Sequence, residues 1–464
     1  MQFVVIDVVN IRIEKLQVRN FKSFKDIIIN FTDFNVIIGA NSSGKSNLTQ
    51  VIRFLRDVED FGIEDAISLQ GGIEYISNYG IKYRQPTTFS IDVSYNVKEN
   101  ENNQLRILSI KEGIDFVSSL DSFSYELELK FDPQMEKIAK TVEKITIICS
   151  NQETYPGVHP KTGGMILYDK NERRYGSESL ITRVTITGTH RTKKPDFKAQ
   201  VSRMKQDSDG ELIVEDYASE VLWSMANDAA NIQKRFEKGA SLLEAFSKAI
   251  PDPKGIFKGI SIFDFDPKVL KKGCNYSAKT SLEEDGRNLP IVLKKINSNS
   301  KNRQKLKRIL EQFFPQVKEV QFESFKDKST VFKIKETFDR RRGGYLHSPF
   351  ISDGTANIIA LMIATEFGGS HPVIIEEPER NMHPKLMNKL MEMMKSVARS
   401  RQIITTTHNP EFIKWIELDS LLLIHRDPDG FSNVVKPAEI DQVRVFVENN
   451  IGIESIFVND IFGV

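Results

Sequence analysis

The stretch NVIIGANSSGKSNLTQVIRFL, residues 35–54, decides the fold. It opens on a short continuous apolar run, the mark of a strand buried on both faces. The run stops at Gly39. From there Gly39, Ala40, Asn41, Ser42, Ser43, Gly44, Lys45 and Ser46 fit the pattern G-x-x-x-x-G-K-[ST], and Asn47 leads into an amphipathic helical pattern. Each residue type has a chemical reason. The two glycines let the backbone turn tightly, so that N–H groups point inward at phosphate oxygens. The helix that follows presents its positive end. Lys45 neutralises the β- and γ-phosphates of a nucleotide, and Ser46 offers its hydroxyl to Mg²⁺. A Gly/Ser-rich loop can match such a pattern by chance. A buried strand before it and a helix after it are the context that a phosphate cradle requires.

Working outward, IRIEKLQVRNFKSF (11–24) alternates apolar and polar residues and predicts a strand, with DIIINF (26–31) as its partner. Strand signals continue at TTFSIDVSY and FSYELELKF, and KENENNQ (98–104) reads as a hairpin tip or loop. Residues 131–300 are mixed: EKIAKTVEK and ASEVLWSMANDAANIQKRFEKGASLLEAFSKAI predict helices, KITIICS and ITRVTITGTH strands. Beyond them, DGRNLPIVLKKI and RQKLKRILEQFF (303–314) are helical, and VKEVQFESF and TVFKIKETF are strands. From 350, GTANIIALMIATEF, HPVIIEE, PKLMNKLMEMMKSVA and RQIITTTH alternate helix and strand, which predicts a parallel sheet covered by helices. No heptad persists and no internal repeat is present. The expected fold class is α/β, with three spans: an N-terminal lobe at 1–130, an inserted, partly helical region at 131–300, and a C-terminal lobe at 301–464.

A cradle alone does not hydrolyse. Phosphoryl transfer also needs a carboxylate at a neighbouring strand end for the metal, and a group that positions water. PVIIEEPE supplies both: Glu376 would hold Mg²⁺, and Glu377 would orient or deprotonate the attacking water. An acidic pair can be an ordinary solvated feature, but one that ends an apolar strand and precedes Pro378 is uncommon. QIITTTHNP (402–410) ends a further strand at His408, which can donate to a γ-phosphate or simply close the strand. In FISDGTANIIALMI (350–363), Ser352, Asp353 and Gly354 open an apolar helix. Ser352 reads as an N-cap, or alternatively as part of an anion-binding helix start.

Composition bounds the rest. The chain has 464 residues, 40% hydrophobic and 27% charged, with a formal net charge of +1. Nucleic-acid contact would therefore need a local patch. HRTKKPDFK (190–198), NRQKLKR (302–308) and DRRRGG (339–344) are such patches, or solvated faces, and lack interleaved aromatics. Cys149 and Cys274 form no CxxC and read as reduced, buried thiols. No apolar run approaches the ~20 residues of a membrane span. The start MQFVVIDVVN lacks a basic n-region, so a cytoplasmic protein without a signal peptide is expected.

The order GANSSGKS, SDGT, VIIEEPE, TTTH resembles the ABC-type ATPase heads of the RecF, SMC and OLD group. VRNFKSF (18–24), EDGRNLPIVLKKI (284–296) and RNMHP (380–384) strengthen the resemblance, which is nearest to bacterial AAA-type proteins related to OLD ATPases. It implies a P-loop NTPase head with mixed and parallel sheets, split by an insertion, using ATP and Mg²⁺. It also implies a composite site. Lys45, Ser46, Glu376, Glu377 and His408 of one protomer would face Ser352, Asp353 and Gly354 of another, so that ATP closes a homodimer or a larger homo-oligomer. The sequence departs from the group's LSGGQ signature, with ISDGT in its place, and the group's nucleotide-contacting glutamine has only Gln70 and Gln85 as weak counterparts.

OLD nucleases carry a TOPRIM domain of about 100 residues after the ATPase. Here only residues 431–464 follow RDPDG, and Asp427 and Asp429 read as a hairpin turn rather than a metal pair. The expectation is an ATPase without intrinsic nuclease. It would act as a switch on a separately encoded effector, resembling stand-alone ATPase subunits of PARIS- or Septu-type anti-phage systems. The alternative is a DNA-binding repair ATPase of the RecF kind.

Overall fold

A computed structural model describes residues 10–96, 109–111, 114–154, 177–191, 195–206, 212–215, 230–249, 255–275, 281–325, 329–337, 344–369, 371–459 and 462. The expected loop tip at 98–104 and most of the basic stretch 339–344 lie outside these. The chain opens with β1 (Asn10–Phe21), β2 (Phe24–Asn30), β3 (Phe34–Ile38) and α1 (Lys45–Phe61), followed by two short helices, α2 (Ile63–Leu69) and α3 (Ile73–Ile76). These two short helices carry too few turns to show a helical period in the sequence. The described residues form two compact units, one of 1–31 with 51–259, the other of 32–50 with 260–464.

The first unit is an antiparallel sheet. It adds β4 (Thr87–Asn96), β5 (Ser109–Lys111), β6 (Ile114–Phe131), β7 (Ile138–Thr154), β8 (Ser177–Arg191), β9 (Asp196–Gln206) and β10 (Leu212–Glu215). The order is β10-β9-β8-β7-β6-β4-β1-β2, with β5 hairpinned on β6. The expected boundary at 130 thus falls inside one continuous sheet. The EKIAKTVEK stretch, read as helical, is instead the start of β7. Its burial has period two: Thr141, Glu143, Ile145 and Ile147 are buried, with half-buried residues between them. Glu143 masked that period, because a glutamate on a core face is rare. Its carboxylate accepts from the Tyr125 hydroxyl at 2.7 Å and from the Leu242 and Leu243 amides at 2.8 and 3.3 Å. It thereby satisfies the orphan donors that begin α5 (Leu242–Ala249), which follows the helical residues 230–236 (α4). Phe21, Phe54 and Phe89 form one aromatic cluster of this core; Phe123, Phe246 and Phe257 form another.

The second unit carries the expected parallel sheet. It comprises β11 (Ser261–Phe263), β16 (Val373–Glu376), β17 (Ile403–Thr407), β3 and β18 (Leu421–Arg426), all parallel, in the order β18-β3-β17-β16-β11. β19 (Ser432–Val435) turns back antiparallel on β18. Between β11 and β16 in the chain lie α6 (Pro267–Leu270), β12 (Cys274–Asn275), α7 (Leu289–Ser298), α8 (Ser300–Phe313), β13 (Val317–Ser324), β14 (Ser329–Glu336), β15 (Leu346–His347) and α9 (Asp353–Glu366). Of these, β12, β14 and β13 pair in that order as a second, antiparallel sheet, with β15 on β14. α10 (Pro384–Ala398) joins β16 to β17. Every residue of α9 from Ala356 to Thr365 is buried, so it shows no polar face. α10 buries Met387, Leu390, Met391 and Met394 on one face. Cys274 is half-buried and forms no disulfide among the described residues. Among the described residues no helix is long and apolar enough to cross a membrane.

Candidate functional site

In open parallel sheets the loops at the carboxyl ends of the strands form the binding crevice. Here β3 runs out into Gly39, β16 into Glu376 and Glu377, β17 into His408, and β18 into Arg426. All these residues belong to the second unit.

The Gly39–Ser46 loop is built by close approach. A Cβ on Gly39 would sit 2.3 Å from the Ile424 carbonyl oxygen, so only glycine lets β3 and β18 stay paired there. Gly44 has φ +118°, and Ser42 also lies in the left-handed region at φ +63°. Arg426 Nε donates to the Ser42 carbonyl at 2.8 Å, and the Ser432 hydroxyl donates to the Ser43 carbonyl. The β18–β19 hairpin therefore braces the loop from outside. Ala40, Asn41 and Ser42 are exposed, Ser43 and Gly44 are buried, and Asn47 is half-buried. The Ser43 hydroxyl is buried without a hydrogen-bond partner.

Lys45 folds its ammonium back onto the Gly39 and Ala40 carbonyls, at 2.8 Å each. Burial lowers its pKa, opposed by the nearby charges of Glu377, Glu379 and Glu376. A phosphate arriving at the loop would offer this cation a full negative charge in place of two carbonyl dipoles. Ser46 Oγ donates to Glu376 Oε2 at 3.2 Å, across 330 positions of sequence. The two are close enough to share one hard cation. Among the described residues no three His, Cys, Asp or Glu side chains converge on a common point. An ion here would draw its other ligands from water and phosphate, as Mg²⁺ does.

Glu377 is held from both sides. Its Oε1 lies 2.7 Å from His408 Nδ1 and its Oε2 accepts from Arg380 Nη2 at 3.1 Å. Burial pushes its carboxyl up, but Arg380 and His408 together hold it below the usual carboxylate range. Its backbone sits at φ +45°, with its amide on the Thr406 carbonyl at 2.9 Å, a strained turn that aims the side chain off the strand end. Arg380 in turn donates to Asp264 Oδ1 and the Phe265 carbonyl, at 3.0 Å each. Behind them, Glu379 is almost fully buried against the Thr407 hydroxyl, and burial pushes its pKa up to about 7.

Thus Lys45, Ser46, Glu376, Glu377 and His408 meet at one place. Ser352, Asp353 and Gly354 form a separate group at the start of α9. Ser352 is the N-cap, its hydroxyl accepting from the Thr355 amide at 3.1 Å. Asp353 pairs with Lys271 at 2.5 Å. A Cβ on Gly354 would meet the Asn381 carbonyl oxygen at 2.8 Å. One turn on, buried Asn357 donates to the Pro378 and Arg380 carbonyls at 3.0 and 2.9 Å, latching α9 to the loop that follows Glu377. Sequence reasoning missed Arg426, Ser432, Asp264 and Lys271 as supports of the site, because nothing local marks them. Arg380 stood in the RNMHP motif but without a role. The Asp427 and Asp429 turn is a hairpin, with the Asp427 carboxylate accepting from the Phe431 amide at 2.8 Å.

A family model described as an AAA ATPase domain matches residues 12–413. A relative named Endonuclease GajA, from Bacillus cereus (strain VD045), is 27% identical over 123 residues. That is 26% of this chain and 20% of the relative, so only a fifth of the relative's length is spanned. Among solved structures, the SMC head domain from Thermotoga maritima is 14% identical, with TM-score 0.39, covering 92% of this chain and 98% of that one. An Smc head domain with an extended coiled coil, bound to the C-terminal domain of ScpA derived from Pyrococcus furiosus, is 12% identical. Its TM-score is 0.41, with 95% and 100% coverage. At such scores the likeness carries nothing about function.

Proposed function

This chain belongs to the AAA ATPase domain family, and from that premise we propose an Mg²⁺-dependent, ATP-driven dimerisation switch that controls a separate effector. The observation that carries the reading is the meeting of Lys45, Ser46, Glu376, Glu377 and His408 at the ends of β3, β16 and β17. Lys45 and the loop amides bind the phosphates. Ser46 and Glu376 would hold Mg²⁺, which would supply positive charge against that developing on the transferred phosphoryl group. Glu377, ionised and aimed by Arg380 and His408, orients the attacking water and takes up its proton. His408, hydrogen-bonded to Glu377, registers whether the γ-phosphate is present.

The α9 group completes the site in trans. Ser352 and Gly354 of one protomer cap the γ-phosphate held by the other. The sandwich forms with ATP and opens after hydrolysis. Asp353 would repel a polyanion there, and its pairing with Lys271 offsets that charge. The α9-to-378–380 latch supports a link between the closing face and Glu377. A trigger that prefers one arrangement shifts the equilibrium between them.

The resemblance to defence ATPases and the partial similarity to an endonuclease support a cytoplasmic, anti-phage role with nuclease or toxin chemistry in a partner protein. The test is capture in the native host. Tagged Glu377→Gln, trapped with ATP and Mg²⁺, should co-elute a nuclease or toxin-like protein that Lys45→Ala holds differently. Identical partners with both variants, or normal function in a host lacking every neighbouring gene, would contradict effector control.

A further inference from the structure

The segment YISNYGIKYR (75–84) of the first unit presents its largest aromatic side chains to solvent. Tyr75 is 64% exposed, Tyr79 86% and Tyr83 46%, while Ile76, Ser77, Asn78 and Ile81 between them are buried. Scattered surface apolar residues need no explanation, but three tyrosines spaced four apart, from the end of α3 through the turn that follows it, do.

The backbone beneath them is pinned. Asn20, fully buried, donates to the Lys82 and Gln85 carbonyls at 2.8 and 2.7 Å. Asn78 donates to the Lys22 carbonyl at 2.6 Å, accepts from the Gly80 amide at 2.9 Å, and has its own amide on Asn20 Oδ1 at 3.1 Å. The Lys22 amide donates to the Ile76 carbonyl at 2.8 Å. Asn20, Lys22 and Lys82 all sit in the left-handed region, at φ +51°, +48° and +48°. Backbone strain of this kind, held by buried polar bonds, collects at recognition sites. The result is a pinned backbone that presents these aromatic side chains to solvent, so little backbone ordering is needed on contact.

Two cations, Lys82 and Arg84, lie on the same segment. Lys82 lies 4.8 Å from the Tyr79 ring centroid, and Arg84 follows Tyr83. Within 75–84 there is no acidic residue. Tyrosine and arginine also anchor protein interfaces, but lysine is depleted there, so this mixture favours a polyanion with flat faces.

We propose that Tyr75, Tyr79 and Tyr83, with Lys82 and Arg84, form a stacking platform for single-stranded nucleic acid. Bases stack on the tyrosines and the backbone phosphates follow the cations. Binding is tolerant of sequence, because every base has a π-face.

The test uses the full chain and fluorescence anisotropy with oligo(dT) and oligo(rU) of about 16 nucleotides, the upper site size of one such platform, beside a duplex of equal length. Both strands should bind more tightly than the duplex, and any preference between them identifies DNA or RNA as the natural strand. Tyr79→Ala should weaken binding about 5- to 100-fold and Tyr79→Phe should restore it. Lys82→Ala should reduce the slope of log affinity against log salt by about 0.7. Unchanged basal ATP hydrolysis in Tyr79→Ala is the control for folding. The proposal is overturned if the wild type does not prefer a single strand at about 50 mM salt. It also falls if the triple Tyr→Ala variant binds the strand as well as the wild type. A triple variant that loses a host protein while keeping the strand makes the face a protein dock instead.

Discussion

At the residue scale, the chemistry turns on the charge state of Glu377. Two effects compete on its carboxyl: burial raises its pKa, while Arg380 and His408 lower it, and the second group prevails. The folded value therefore lies below the ordinary 4.5. Glu377 is ionised throughout the neutral range, and the acid limb of activity belongs below that value. Arg380→Ala removes one cation and one hydrogen bond and leaves burial less opposed. The expected outcome is an acid limb of kcat/KM shifted to higher pH, read by phosphate release across the acid range. A limb that stays in place would remove Arg380 from the account. Gly39→Ala tests the loop itself. Its methyl group would collide with the Ile424 carbonyl, so nucleotide affinity should fall with little change at sites elsewhere, as read by calorimetric titration.

At the element scale, legibility followed chemistry. The parallel strands β3, β16 and β17 are buried on both faces and read as apolar runs, so the positions of their ends in the chain were legible. The bracing of the cradle by Arg426 and Ser432 was not legible. Those contacts span more than 380 positions and involve ordinary hairpin residues. The start of β7 was misread because Glu143 occupies a core position. Burial pushes the pKa of Glu143 to about 7, against the opposing pull of the Leu242 amide and the Tyr125 hydroxyl. The folded value is raised, so the folded state binds more protons than the unfolded one between pH 4.5 and about 7. Stability should therefore fall as pH rises through that window. Glu143→Gln, which keeps the shape and an acceptor for α5, should flatten that dependence in urea unfolding at pH values across the window. An equally steep dependence in the variant would place its origin elsewhere.

At the scale of the whole molecule, the account requires two copies. The α9 group and the cradle group are each complete locally, yet no hydrogen bond among the described residues joins Ser352 or Gly354 to Lys45 or Ser46. If the site is composite, Lys45→Ala and Ser352→Arg should each be inactive alone, and mixing them should restore turnover. A mixed dimer holds one intact cradle facing one intact α9 start. Light scattering should also show Glu377→Gln doubling its mass from 53.0 kDa with ATP and Mg²⁺. No restoration on mixing would mean that each protomer hydrolyses alone, and the switch would then need another basis.

The measurement that bears most directly on the central claim is ATP turnover of wild type, Glu377→Gln and Lys45→Ala, each with nucleotide binding measured in parallel. The account predicts Mg²⁺-dependent phosphate release by the wild type. It predicts a loss of about 10²–10⁴-fold in Glu377→Gln with ATP still bound, and loss of binding itself in Lys45→Ala. Wild-type turnover in the Glu377→Gln variant would contradict it.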